Sequence, residues 1–235
     1  MKIALAALAA LTLAGCGSSE PKPAPSPTPS ATPDKPKTLV PADLGALVLG
    51  PRIEWPQGPE VTGTFAVDGE TIAEVVTYVA CPAPANVDEN DPSLQGEFAT
   101  ECHPEAREAD TVYTYVHRVT PAEGVEGATL FRTSRTATGF ANVIGFDKAE
   151  AVDVLGEDGQ IDVASDNGAL VWRVIGGDGW TAGETLTFYW QSTIAPEGSR
   201  EAFQFEADGV SAIGTGPFPP REVPVEGPVD EPSSR

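Results

Sequence analysis

Alternation of apolar and polar residues is the main pattern along this chain, and it predicts short β-strands. In residues 185–193, alternation places the large apolar side chains of Leu186, Phe188 and Trp190 on one face of a strand. The other face carries Thr187, Tyr189 and Gln191. A period of two is typical of a strand with one buried face. Residues 113–119 and 203–205 follow the same pattern. Residues 71–80 fit a helix face as well, but their β-branched content favours a strand.

Turn signals separate these segments. Five Asx-Gly pairs occur, and such pairs favour two-residue hairpin turns because both positions tolerate positive φ: Asp68-Gly69, Asp158-Gly159, Asn167-Gly168, Asp178-Gly179 and Asp208-Gly209. The 24 glycines and 23 prolines also argue against a helical bundle. Together the turns and the alternation predict an all-β domain, a sandwich or a barrel.

One hairpin can be predicted residue by residue. A two-residue turn at Asn167-Gly168 places each residue of the first strand opposite a known residue of the second. The register pairs Asp166 with Ala169, Val163 with Trp172, Asp162 with Arg173, and Ile161 with Val174. Ile161, Val163, Leu170, Trp172 and Val174 then share one face, which we expect to be buried, and the other face is mostly polar.

The second half of the domain resembles a known architecture. A tyrosine-rich strand (residues 112–116) is followed by a loop with Trp180, the strand segment Gly183–Ser192, Pro196, Gly198, and a closing Gly214–Pro219. This order resembles the immunoglobulin-like β-sandwiches of secreted bacterial surface proteins. The resemblance covers residues 110–219 and implies an immunoglobulin-like or related β-sandwich. It supplies no catalytic residues, and the sorting helix of some of those proteins is missing here.

The N-terminus has the layout of a secretory signal. Lys2 precedes an apolar run, Ile3–Ala14, that is too short to span a bilayer. Leu13-Ala14-Gly15-Cys16 resembles the lipobox of bacterial lipoproteins. The resemblance implies that residues 1–15 are removed and that Cys16 is lipidated, so we expect an anchor in the lipid bilayer. Gly17 and Ser18 follow instead of aspartate, which by the same resemblance implies the outer membrane rather than the inner membrane.

Composition divides the rest of the chain into three parts. Residues 16–37 contain the lipidated cysteine and a Pro-rich linker that favours polyproline II, at roughly 3.1 Å per residue. Residues 38–219 form the predicted β-sandwich domain. Residues 220–235 are acidic and Pro-rich, and we expect a disordered tail. The predicted location is therefore the cell envelope, facing either the periplasm or the exterior.

Charge excludes some partners. The chain has 14 basic and 35 acidic residues and a net charge of −21, which disfavours nucleic acid. Asp88, Glu89 and Asp91 are clustered oxygen donors and candidates for a calcium site, although their spacing matches no EF-hand loop. We therefore assign no cofactor, with calcium left as the alternative.

The cysteines predict a disulfide. Once Cys16 is lipidated, Cys81 and Cys102 remain, in a compartment that permits disulfides. Cys102-His103 lacks the first cysteine of a haem-attachment sequence, because Ala99 stands in its place. Zinc on these cysteines and His103 would need a fourth ligand and reduced thiols.

No sequence motif points to catalysis. The nucleophile elbow, the zinc-protease helix and the phosphate-binding loop are all missing, and the histidines are His103 and His117. A two-carboxylate glycosidase stays open as the hydrolase alternative. We predict a non-catalytic interaction or structural domain with an envelope protein or glycan as partner. The alternative is a carbohydrate- or peptidoglycan-binding module that uses exposed aromatic rings, with Trp180, Trp55 and Tyr189 as candidates and Trp172 and Trp190 assigned to the core.

Overall fold

The computed structural model describes residues 36–83 and 101–221, which form two packed β-sheets. Sheet A contains, from edge to edge, β1 (Lys37–Thr38), β9 (Gln160–Asp166), β10 (Ala169–Gly176), β7 (Ala128–Thr133), β12 (Ser199–Ala207) and β13 (Val210–Pro217). Sheet B contains β2 (Ala42–Asp43), β8 (Phe140–Phe146), β11 (Leu186–Ser192), β6 (Tyr113–Pro121), β5 (Glu70–Pro82) and β3 (Leu49–Arg52), and β4 (Val61–Val67) also pairs with β5. Every described strand pair is antiparallel except β2–β8. The predicted all-β sandwich is confirmed.

Several predicted features lie outside this part of the chain. They are the signal peptide, Cys16, most of the linker and the tail, and the candidate calcium ligands Asp88, Glu89 and Asp91. No helix within residues 36–83 and 101–221 has the length and apolarity needed to cross a bilayer.

Three of the five Asx-Gly pairs form the predicted hairpin turns. Asp68, Asn167 and Asp208 have φ values of 53°, 49° and 51°, and each is followed by a glycine with positive φ. The prediction is wrong for the other two pairs. Asp158-Gly159 follows a helix, and Asp178-Gly179 lies in the loop that crosses from β10 in one sheet to β11 in the other. Such a dipeptide makes a hairpin only where adjacent antiparallel strands flank it.

The predicted register of the β9–β10 hairpin is confirmed. Asp166 pairs with Ala169, Val163 with Trp172, Asp162 with Arg173, and Ile161 with Val174. Val163, Leu170 and Trp172 are buried, and Arg173 on the opposite face is exposed. Residues 71–80, whose pattern fits a helix face as well as a strand, lie within β5, as their β-branched content indicated.

The helix α1 (Lys148–Leu155) was not predicted from the sequence. The Asp147 side chain caps it by accepting a hydrogen bond from the Glu150 amide at 3.0 Å, and Gly156 ends it. Burial raises the pKa of Glu150, whose carboxylate accepts a hydrogen bond from the Thr187 amide at 2.5 Å. An acidic N-cap followed three residues later by glutamate is a recognisable start signal, but the eight-residue helix has too little periodicity to stand out.

Aromatic rings fill the space between the sheets, and Phe131 on β7 lies at their centre. Its ring stacks on Phe188 of sheet B at 5.2 Å and on Phe203 of sheet A at 5.5 Å. It also packs against Trp172 at 5.6 Å and edge-on against Phe65 at 6.4 Å. All five side chains are at most 1% exposed. This cluster joins the two sheets into a single core.

The outer face of sheet B is covered by residues 42–49. Tyr78, Val116 and Tyr189 form a second buried cluster on this face. The covering side chains come from the segment that contains β2 and the start of β3, with one from β8: Ala42, Leu44, Leu47, Leu49 and Val143. Tyr189 is consequently 0% exposed, and the prediction that it lies on a solvated face is wrong.

The predicted disulfide is confirmed. Cys81 near the end of β5 is bonded to Cys102, with a Cα–Cα distance of 5.7 Å and a sequence separation of 21. Cys102 also forms a parallel bridge with Ile53, so both partners are fixed at the same edge of sheet B. Closing a loop of this length stabilises the fold by roughly 3 kcal/mol in the chain-entropy account.

Phe131→Ala is expected to lower the free energy of unfolding by about 3 to 5 kcal/mol, because it removes a ring from the centre of the core. Ile175→Ala is the matched control, since Ile175 is 58% exposed on β10 of the same sheet. We expect Ile175→Ala to lower the free energy of unfolding by about 1 kcal/mol or less. Urea unfolding measures both values. A similar loss in the two variants would contradict the central position of Phe131.

Candidate functional site

Trp180, the first candidate for an exposed glycan-binding ring, is buried. It is 1% exposed and packs edge-on against Phe188 at 5.7 Å and Phe205 at 5.4 Å. Its indole N–H donates to the Glu184 carbonyl at 2.8 Å, and its own carbonyl accepts from the Ala128 amide. Trp180 therefore covers the end of the sandwich at which β7 begins, and it is not the exposed ring that the glycan-binding alternative requires.

Trp55 and Tyr189 do not form a binding surface with Trp180. Trp55 is half-buried against the main core, and Tyr189 belongs to the separate cluster on the outer face of sheet B. Burial raises the pKa of Tyr189 to about 12, so the phenol is neutral at physiological pH. The three candidates lie in different places, and the aromatic platform that the glycan alternative required is not assembled from them.

His117, one of the two histidines of the chain, is fully buried in the core. Trp190 donates its indole N–H to His117 Nε2 at 3.1 Å, and Thr77 Oγ1 lies 3.1 Å from Nδ1. Because indole can only donate, Nε2 carries no proton, and the neutral ring holds its proton on Nδ1. Burial lowers the pKa of His117 to about 3. Both nitrogens are thus occupied inside the protein, which is a structural role.

His103 lies on the surface beside two carboxylates. Its ring nitrogens are 2.8 Å from Glu101 and 3.5 Å from Glu105, and all three side chains are more than half exposed. Zinc coordination by Cys81, Cys102 and His103 is not possible while the cysteines are bonded to each other. Within residues 36–83 and 101–221, no group of three or more ligating side chains is arranged to hold a metal ion.

A cavity of about 680 Å³ lies at one end of the sandwich. We call it the end cleft. It is lined by the end of β7, the β7–β8 loop, the β9–β10 turn and the segment after β13: Arg132, Ser134, Arg135, Thr136, Ala137, Thr138, Gly139, Asp166, Asn167, Ala169, Phe218, Pro219 and Arg221. It lies at the opposite end of β7 from Trp180. The first described strand also starts here, with Lys37 paired to Ser165 next to the β9–β10 turn.

Specific hydrogen bonds hold the walls of the end cleft in place. Thr133, which is 0% exposed, donates its hydroxyl to the Arg135 carbonyl at 2.7 Å and accepts from the Leu170 amide at 3.0 Å. The Ala137 amide donates to the Gly168 carbonyl at 2.8 Å, which joins the two walls. Gly168 has a φ of 80°, and a Cβ there would lie 2.8 Å from Thr136. The turn therefore needs glycine for its conformation and for this close approach.

The floor of the end cleft is part of the core. Phe218 is 1% exposed and packs against Trp190 at 5.6 Å and Phe203 at 6.0 Å. On the other side, the Ser192 hydroxyl donates to the Thr138 carbonyl at 2.9 Å. Both the floor and the loop are thus attached to rigid strands, and we expect the cleft to keep its shape without a ligand.

The end cleft is positively charged in an acidic protein. Among residues 36–83 and 101–221, three of the 14 basic residues of the chain line it, together with a single carboxylate, that of Asp166. Arg132 lies 3.6 Å from Asp166. Within residues 36–83 and 101–221, Arg135 and Arg221 form no ion pair. Guanidinium groups with free donors suit carboxylate or phosphate ligands.

Sequence reasoning did not find this site. Arg132 and Arg135 are separated from Arg221 by more than 80 residues, and the strand order of sheet A brings them to one end. The only signal in the sequence is a local one: Arg132 and Arg135 fall within four residues of a chain that is otherwise rich in acidic residues.

No family model matches the chain, and neither does any curated protein or solved structure.

The buried His117 predicts a specific pH dependence of stability. In the unfolded chain the imidazole has a pKa of about 6.5, whereas in the folded protein it takes up a proton only near pH 3. Below pH 6.5 the unfolded state therefore binds a proton that the folded state does not, and this stabilises the unfolded state. The resulting loss of stability is about 2 kcal/mol between pH 7.5 and pH 5.

His117→Gln should remove that contribution, so its free energy of unfolding should fall less steeply over the same pH range. His103→Gln is the control for a histidine substitution on the surface. Urea unfolding at pH 7.5 and pH 5 gives both slopes, and equal slopes for His117→Gln and wild type would contradict the prediction. If His117→Gln does not fold, ¹⁵N NMR of the wild-type protein reports the protonation state of His117 directly. At pH 5 the ring resonances should still be those of the neutral Nδ1–H tautomer.

Proposed function

We propose that this protein is a lipid-anchored component of the bacterial cell envelope whose β-sandwich is a non-catalytic interaction domain. In this proposal the domain contacts its partner through the end cleft. The observation that carries it is the end cleft itself: an arginine-lined cavity of about 680 Å³ whose walls are held by hydrogen bonds of the buried Thr133 side chain. Cavities of roughly 300–1,000 Å³ with a few convergent polar groups are typical ligand sites.

The anchor is proposed from the lipobox resemblance at Leu13–Cys16. Acyl chains on Cys16 would hold the protein in the outer membrane, since buried methylene groups contribute about 0.8 kcal/mol each and two or three chains give stable attachment. The Pro-rich residues 20–37 would act as a spacer between lipid and domain. A tethered domain with a ligand cleft is suited to binding a neighbour in the envelope.

The non-catalytic part of the proposal is supported by where the acid–base groups lie. His117 has both ring nitrogens bonded inside the core and no access to a substrate. Glu150, near the start of α1, has its pKa raised by burial, and its carboxylate accepts a hydrogen bond from the Thr187 amide on β11. Each of these groups already has a structural role, and neither lines the end cleft.

Cys16→Ser tests the anchor. We expect the wild-type protein to partition into the membrane fraction and into the detergent phase of Triton X-114, and the variant to partition into the aqueous phase. Ser18→Ala is the control, because it changes a neighbouring residue and keeps the cysteine. Retention of Cys16→Ser in the detergent phase would show that the lipobox reading is wrong.

Site-specific photo-cross-linking in intact cells tests the role of the end cleft. A photoreactive residue at Thr136, which lines the cleft, should give a discrete cross-linked product. The same residue at Ile175, exposed on β10 away from the cleft lining, should not. Adding Arg135→Gln should weaken the Thr136 product. Equal products at both positions, or none from Thr136, would contradict contact through the end cleft.

A further inference from the structure

We propose that the group bound in the end cleft is a compact oxyanion, one with at least two carboxylate or phosphate groups within the size of a small molecule. The inference rests on the proposed function, because it names the chemistry of the ligand at the same site. It goes further by predicting that the group binds as a free ion, without the rest of the partner.

The arginines carry the argument for an anion. Arg132 forms an ion pair with Asp166 at 3.6 Å, whereas Arg135 and Arg221 have no carboxylate partner among the described residues. Three guanidinium groups against one carboxylate give the described lining of the cavity an excess of positive charge. Each guanidinium presents a planar set of donors that matches two oxygens of a carboxylate or phosphate group. A ligand with two such groups offers one to each of the two lining residues Arg135 and Arg221.

The remaining lining residues fit such a ligand. Ser134, Thr136 and Thr138 carry hydroxyl groups that can donate to further oxygens, and Asn167 adds an amide. Phe218 at the floor and Pro219 beside it add an apolar part to the lining. This combination suits a small organic anion with a short carbon or phosphate skeleton rather than a bare chloride ion.

Charge outside the end cleft limits the size of the ligand. The chain has a net charge of −21, so an extended polyanion would place most of its charges over an acidic surface. Salt screens this repulsion only beyond about 8 Å at physiological ionic strength. A compact anion keeps all its charge close to the arginines. The end cleft is therefore expected to reject an anionic bilayer surface and to accept an isolated charged group.

Isothermal titration calorimetry of the chain from Gly17 onward tests the inference, with citrate and pyrophosphate as probes in a phosphate-free buffer. At least one probe should bind wild type with a Kd below about 1 mM. Arg135→Gln should weaken that binding about tenfold or more, because it removes a charged donor pair. Arg173→Gln is the matched control: it makes the same change in net charge, but Arg173 is exposed on β10 opposite Asp162. It should stay within about twofold of wild type.

The outcomes separate the proposals. Binding that depends on Arg135 and not on Arg173 supports a compact oxyanion site. No binding of either probe, or equal weakening by both variants, overturns it. Co-sedimentation with phosphatidylglycerol vesicles but not with phosphatidylcholine vesicles, with neither free probe bound, also overturns it in favour of a membrane surface. A specific Thr136 cross-link without oxyanion binding would leave the proposed function standing and refute only the ligand chemistry.

Discussion

The ring of Phe188 in sheet B stacks on Phe131 in sheet A, which also stacks on Phe203 of its own sheet, and the packing of the two sheets and of the end cleft depends on these contacts. Phe131 sits in the middle of β7, and two residues later Thr133 fixes the backbone of Arg135. Phe203 packs on Phe218, which is the floor of the end cleft. Because protein interiors are close-packed, a shift of these rings would be transmitted to the cleft rather than absorbed. The position of the surface arginines thus depends on the core.

A polar network inside this core adds a second constraint. His117 lies 4.6 Å from Phe203 and 5.5 Å from Phe131, and it joins Trp190 of β11 to Thr77 of β5 through β6. A buried donor or acceptor without a partner costs about 1 to 3 kcal/mol, so any other register of these three strands is penalised. Apolar residues of similar size would fill the same space without that selectivity. The buried position of His117 is better explained by its part in fixing the strand register than by a role as an acid or base.

Local and distant determinants explain which features the sequence could predict. The β9–β10 hairpin follows from Asn167-Gly168 and an alternating pattern, both contained within about fifteen residues. Tyr189 obeys the same alternation, yet its face is buried by residues 42–49, almost 150 positions away. Trp180 lies in a glycine-rich loop, but the loop folds back onto Phe188 and Phe205. The end cleft combines Arg132 with Arg221, a juxtaposition that only the strand order of sheet A produces. Alternation assigns a side to each residue; it does not say what covers that side.

The contrast between an acidic surface and a small basic cavity has a consequence for selectivity. Long-range repulsion lowers the encounter rate for every anion, whereas the arginines act only at short range. For an anion that is weakly held or extended, repulsion from the acidic surface therefore exceeds attraction to the arginines. Only a ligand that engages several guanidinium groups at once overcomes the repulsion. A neutral or basic surface would give the same cavity higher affinity for anions in general. With 35 acidic residues in the chain, recognition instead depends on the fit of the ligand inside the cleft.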